Sequence, residues 1–283
     1  AADPAFALNE TNLLPLASLC VALDGLPLAL ELAAVRLRDL PAAELVQQLL
    51  IQRGHTRLSS TWLAQARRNV AERHRTLHAA IGWSAQRLSP GDREVFHRLG
   101  VFVGGADAAA ALAVTGADEV ALDRLARASL IRFDDGRLLL LETLRAFAAE
   151  QLAATGALAA ARQAHARRYA RFAQAVFAGL IGDEQLAWMP RATADHDNCL
   201  AALRWALAEG DGETAVAIAG GLWWFWYRRG YYALAREMLA AALELPSTDR
   251  LIRANALNGL ASFWLEEEEY AANLACHEQA LAL

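Results

Sequence analysis

His74 and His78 stand four residues apart, the spacing that places two imidazoles on one face of a helix and lets them share a metal ion. No third ligand accompanies them, and Arg73 and Arg75 crowd the site with positive charge, so solvated or interdomain contacts fit the pair better than zinc. Asp195-His196-Asp197 sets carboxylates beside an imidazole, the ingredients of an acid/base pair. Its place ahead of an apolar stretch, Cys199 to Leu207, reads instead as a capping or loop cluster. No serine lies in a GxSxG elbow. The sequence therefore offers no catalytic residue and no metal site.

The cations sharpen that exclusion. All 27 positive side chains are arginine, and lysine is absent. A phosphate-binding loop of the GxxxxGK[ST] type needs its lysine on the β- and γ-phosphates, and Schiff-base chemistry needs an amine. Neither is open to this chain alone, so no cofactor is expected within it and it is not expected to be an enzyme. The formal net charge of -5 also argues against broad attraction to nucleic acid.

The remaining side chains suited to recognition are aromatic: Trp223-Trp224-Phe225-Trp226-Tyr227. On a helix five consecutive residues point all round, so some must be core and some must face a groove. Their register comes from a repeat. Val216 to Leu245 and Ala254 to Leu283 align at an offset of 38 residues, pairing Tyr232 with Tyr270 and Ala242 with Ala280. A tetratricopeptide unit is about 34 residues, and the linker from Pro246 to Arg250 accommodates the difference. Trp223 falls where the unit usually has a small residue, a place that Ala261 fits in the second copy. In this register Trp223 and Trp226 face the partner helix. Trp224, Tyr227 and Arg228 lie on the concave side with Asn255, Asn258, Ser262 and Glu266, a groove for a protein or small effector. The alternative is that further helices cover these residues.

The elements that position this groove are helices almost throughout, and 283 residues suffice for two or three domains. Leu13 to Leu40 is helical with a break at Asp24-Gly25-Leu26-Pro27, and Pro41 opens a helix over Ala42 to Ile51 before a loop from Gly54 to Ser60. Thr76 to Leu88 is amphipathic, and Ser89-Pro90 caps a helix running to Leu99 that Gly104-Gly105 closes off. Two short helices, Ala106 to Val114 and Asp118 to Ala128, precede Leu130 to Phe133, Asp134-Asp135-Gly136 and Arg137 to Leu140, a hairpin signal. After Gly156 only helices follow, Ala161 to Leu180 the longest, with Pro190 and the cluster at Gly210 to Gly212 as punctuation. The expected fold is mainly α. A helical subdomain (1–60) and a winged-helix-like module with one β-hairpin (61–155) lead through a helical segment (156–210) to a tetratricopeptide-type α-solenoid (211–283).

Three unpatterned cysteines, Cys20, Cys199 and Cys276, suit a reduced, cytoplasmic setting. The most apolar run, Ala215 to Tyr227, is shorter than the ~20 residues a spanning helix needs, so no membrane segment is expected. The start at Ala1-Ala2-Asp3-Pro4 reads as a cut inside a longer protein, and the end at Leu283 as a point where further repeats follow.

Several of these segments together resemble one family. Gly25-Leu26-Pro27-Leu28-Ala29 resembles the GLPLA-type motif late in the nucleotide-binding region of STAND signalling NTPases. Arg75 to Gly105, Arg137 to Leu152, His165 to Gln174 and Leu222 to Tyr232 are similar, in order, to the segments after that motif in AfsR-like and LuxR-like large bacterial regulators. The resemblance implies a multidomain switch whose ATPase core, absent here, acts in cis on this region, with ATP or ADP and Mg bound in the full-length protein. It also implies that Gly25, Leu26 and Pro27 lie at the nucleotide, Pro27 against its base; otherwise Pro27 is a first-turn helix proline.

A winged helix can also read DNA. Between Arg75 and Glu150 nine Arg face ten Asp plus Glu, and the helix before the hairpin carries Asp118, Glu119 and Asp123 against Arg124 and Arg127. That balance weakens contact with phosphates, so packing within the protein is the expected role and DNA is not an expected partner of this region. The sequence therefore reads as the regulatory, partner-sensing part of an ATP-dependent transcriptional regulator. The alternatives are a stand-alone repeat scaffold and, third, a direct DNA-binding factor.

Overall fold

Short polar side chains decide where the helices begin. The Asp92 backbone N–H donates to Ser89 Oγ at 3.1 Å, with Pro90 in the first turn, and Asp107, Asp118, Asp211 and Asp249 cap later helices in the same way. Each cap satisfies a donor that the first turn leaves unpaired. The computed structural model describes residues 9–23, 27–37, 41, 44–45 and 70–283. Among them are thirteen helices and one small three-stranded sheet, a mainly α fold.

The elements are α1 (Glu10–Ala22), α2 (Pro27–Arg36), α3 (Val70–Gln86), α4 (Pro90–Leu99), β1 (Ala106–Asp107), α5 (Ala108–Thr115), α6 (Glu119–Arg127), β2 (Arg132–Asp134), β3 (Arg137–Leu139) and α7 (Glu142–Ala154). They continue as α8 (Leu158–Ile181), α9 (Gln185–Glu209), α10 (Gly212–Arg229), α11 (Tyr232–Leu243), α12 (Arg250–Glu266) and α13 (Tyr270–Leu281). The expected helix over Ala42 to Ile51 and the loop from Gly54 to Ser60 fall mostly outside the described residues.

The chain divides into two compact units. The first comprises Ala1–Gly100, Ala117–Asp134 and Leu140–Leu152. Leu19, Leu23, Ala29, Ala33, Leu45, Ala80 and Trp83 form one buried cluster in it. Phe96 stacks on Phe147 at 6.3 Å, and Arg124 forks onto Asp92 at 2.6 and 2.9 Å, tying α6 to α4. Gly100 matters here because a Cβ would sit 2.6 Å from the Ala149 backbone N, so α7 crosses where only hydrogen fits.

The second unit comprises Val101–Gly116, Asp135–Leu139 and Ala153–Leu283. Strand β1 pairs antiparallel with β3, Ala106 opposite Leu138 and Asp107 opposite Arg137. The expected hairpin is present. Asp135 (φ 46°) and Gly136 (φ 74°) supply the two adjacent left-handed residues that a tight turn of this twist requires. The helix expected from Ala106 begins instead at Ala108, because Ala106 and Asp107 are drawn into the ladder and the Asp107 side chain caps α5.

Three helical hairpins complete this unit: α8 with α9, α10 with α11 and α12 with α13. The last two repeat in the register read from the sequence. Gly212 and Arg250, then Tyr232 and Tyr270, start equivalent helices, and Asp211 and Asp249 cap the first of each pair. Equivalent close approaches in the two repeats fall two positions before the pair expected to be small. A Cβ on Gly221 would lie 2.4 Å from the Ala173 backbone, and one on Gly259 would lie 2.5 Å from Trp223 Cγ, so Trp223 fills the space that Gly259 leaves. Three expectations that bear on α9 are corrected. This helix, not α8, is the longest, at 25 residues, and it runs through Pro190 and through Asp195-His196-Asp197, which form neither a loop nor a cap. Asp195 is buried in its middle and the carboxylate is paired there.

Candidate functional site

Helices α10 and α12 present the residues expected to line a groove. Trp224 and Tyr227, one turn apart, stack with centroids 5.4 Å apart and planes within 4°. The Tyr227 hydroxyl donates to Glu266 Oε1 at 2.6 Å, tying the ends of the two helices together. That hydrogen bond to the carboxylate raises the phenol pKa, so the hydroxyl stays protonated at neutral pH. Trp224 and Tyr227 are half-buried, and Arg228 and Glu266 are exposed.

Asn255 acts as a clamp. Its Oδ1 accepts from Trp223 Nε1 at 3.1 Å while its Nδ2 donates to the Gly220 carbonyl at 2.7 Å, so its amide is spent on holding α12 to α10. Asn258 is exposed and pairs with His277 Nδ1 at 3.1 Å, and Ser262 Oγ donates to the Asn258 carbonyl at 3.0 Å. The structure thus brings Trp224, Tyr227 and Glu266 together, with Asn255 beneath as a fastener and Asn258 turned to α13. Trp226 is fully buried, its Nε1 donating to His196 Nε2 at 2.9 Å. Trp223 is only half-buried, wedged between Phe177 of α8 and Gly259 of α12.

Pro27 begins α2 and is exposed, whereas Gly25 and Leu26 lie outside the described residues. His78 pairs with Glu150 at 2.8 Å and packs edge-on against Phe147. His74 falls in α3, its side chain outside the described set. Among the described residues no group of three or more His, Cys, Asp or Glu is placed to hold a metal ion. Among them, too, no helix is long and apolar enough to cross a membrane.

Sequence reasoning missed a buried polar network centred on Asp195 and Asn198. Arg137 donates to both Asp195 carboxylate oxygens at 2.9 and 3.1 Å, and Tyr169 Oη adds a third donor at 2.9 Å. Asn198 accepts from the Val103 N–H at 2.8 Å and donates to the Gly105 carbonyl at 2.7 Å. His165 completes the set, 3.2 Å from Asn198 Oδ1, and burial holds its imidazole down to about 4. These groups fasten the loop before β1 and strand β3 to α8 and α9. The signal was present: Asp195 and Asn198 share a helix face with Ala192, Cys199 and Ala202, all buried.

The chain matches no family model and no solved structure. Over 99% of its length it is 32% identical to provisionally named HTH-type transcriptional regulators of Mycobacterium tuberculosis and Mycobacterium bovis. A shorter match, 39% identical over 114 residues and 40% of this chain, is to uncharacterized proteins of the same two species, of which it spans 27%. The chain spans about a third of the length of the regulators it matches, 33%. The likeness across nearly the whole chain is thus to one stretch of longer proteins that are named as transcriptional regulators.

Proposed function

We propose that this region is the signal-receiving part of a multidomain, ATP-dependent transcriptional regulator of the STAND type. The observation that carries the reading is the co-linear likeness to regulators about three times longer, over 99% of this chain. In this reading the nucleotide is held by a core elsewhere in the protein, with Pro27 at its base. The hairpin-bearing segment acts as a winged helix in intramolecular switching, and the repeats are tetratricopeptide-type. The concave face of α10 and α12 receives a protein or small effector, with Trp224 and Tyr227 as its apolar surface and Arg228 and Glu266 giving direction. The region itself turns over no substrate, and its setting is the cytoplasm.

The test is made in the full-length regulator, with transcription from its own promoter and nucleotide occupancy measured together. Trp224→Ala with Arg228→Ala is expected to abolish the response to the inducing signal while ATP remains bound. A variant that responds like the parent refutes the groove. Absence of any nucleotide site in the full-length protein refutes the STAND reading and favours a repeat scaffold.

A further inference from the structure

A cleft of about 540 Å³ opens in the second unit beside the corner between α8 and α9. Arg137, Arg168 and Arg191 line it with Asp107 and Asp195, and Phe172 and Trp188 supply aromatic walls. Three cations against two carboxylates make the cleft locally positive in a chain whose formal net charge is -5.

The three guanidinium groups are not equivalent. Arg137 is consumed by Asp195 and the Ala194 carbonyl. The Arg168 guanidinium carbon sits 5.7 Å from the Phe172 ring centroid and 5.8 Å from that of Tyr169, and its approach to Asp107 is 3.8 Å, beyond hydrogen-bond reach. Asp107 Oδ1 is already committed to the Ala110 N–H as a helix cap. Arg191 stacks on Trp188 at 5.2 Å and meets no carboxylate among the described residues. A guanidinium held over an aromatic ring is attracted without using up a hydrogen-bond acceptor, so its N–H groups remain available to an oxyanion.

The aromatic wall is fixed in advance. Trp188 rests on Gly179, where a Cβ would come within 2.1 Å of its ring, and its Nε1 donates to Glu184 at 3.1 Å. An indole so held needs no ordering when a ligand packs beside it. We infer that this cleft binds a small planar ring carrying an oxyanion, carboxylate or phosphate, with Arg168 and Arg191 on the anion and Trp188 beside the ring. The site shares no residue with the groove on α10 and α12, so either can fail without the other.

The experiment is calorimetric titration of the 283-residue chain with two probes, salicylate for a carboxylate and adenosine 5′-monophosphate for a phosphate. Benzamide, a neutral ring, is the control. At least one anionic probe is expected to bind with Kd below about 1 mM, with benzamide at least about tenfold weaker. Arg191→Ala, on an exposed side chain, should weaken that binding about tenfold at an unchanged melting temperature, and Arg191→Lys should restore only part of it. Binding should also quench Trp188 fluorescence, and Trp188→Phe should keep binding while removing that quench. Absence of binding by both probes, or binding that Arg191→Ala leaves unchanged, overturns the inference.

Discussion

Gly230 and Glu268, 38 positions apart, hold the same left-handed backbone at the same corner, φ 73° and 62°. The following amides close equivalent bonds, Tyr231 N–H to the Trp226 carbonyl at 2.9 Å and Glu269 N–H to that of Trp264 at 3.0 Å. Left-handed backbone costs a residue with a Cβ about 1 kcal/mol, and only the first copy avoids that with glycine. Gly230→Ala is therefore expected to lower stability by about 1 kcal/mol. Glu268→Gly should raise it by roughly 0.5 kcal/mol, the gain reduced by the looser unfolded chain. Urea midpoints measure both, and a destabilising Glu268→Gly would contradict the equivalence.

Asp195 and Arg137 make a different kind of contact, a forked pair whose carboxylate is only 4% exposed. Removing one partner strands the other, so Asp195→Ala should cost roughly 3 to 5 kcal/mol. Replacing both, as Asp195→Leu with Arg137→Met, should recover much of that loss, though Tyr169 and Asn198 still lose an acceptor. A double variant as unstable as Asp195→Ala would show that the pair itself is not what matters.

His165 gives this unit a pH dependence of definite sign. Its imidazole is held from 6.5 down to about 4, chiefly by burial, so between those values the unfolded chain takes up a proton that the folded one refuses. Stability is full above pH 6.5 and falls as the pH drops towards 4, by about 3 kcal/mol from this residue. Burial also lowers His196, which adds to the same slope. His165→Gln should flatten the fall in melting temperature between pH 7 and 4.5, and an unchanged slope would remove His165 as its source.

The hairpin and the repeat were legible because each rests on local chemistry. Asp135-Gly136 can be read as a turn whatever surrounds it, and the offset of 38 needs only two copies in one chain. The network around Asp195 was not legible, since three polar residues in an alanine-rich run look the same whether they cap a loop or face a core. What decides is where Arg137 and the loop at Val103 and Gly105 arrive from, about 60 and 90 residues away in sequence. Trp223 shows the same limit: the register placed it in the core, but its half-buried wedge against Gly259 depends on how successive hairpins stack.

The groove prediction turns on three tryptophans in one helix. Trp226 is wholly enclosed, its N–H held by His196, so Trp226→Ala leaves a large cavity and should lower stability by roughly 3 to 5 kcal/mol. Trp223→Ala removes the filler above Gly259 and the bond to Asn255, with a loss of roughly 2 to 3 kcal/mol because part of the ring already meets solvent. Trp224 contributes mainly a stacked face on Tyr227 and an edge on Trp223, so Trp224→Ala should cost roughly 1 kcal/mol of stability. Its larger effect should be on the effector, about 2 kcal/mol of affinity, as for an aromatic at the centre of an interface. Tyr227→Phe separates the two roles within the groove: it keeps the stack but releases Glu266, so it should alter affinity for a cationic or hydrogen-bonding ligand with little change in melting temperature. If Trp224→Ala melts as early as Trp226→Ala, Trp224 belongs to the core and the concave face of α10 is not where this region receives its signal.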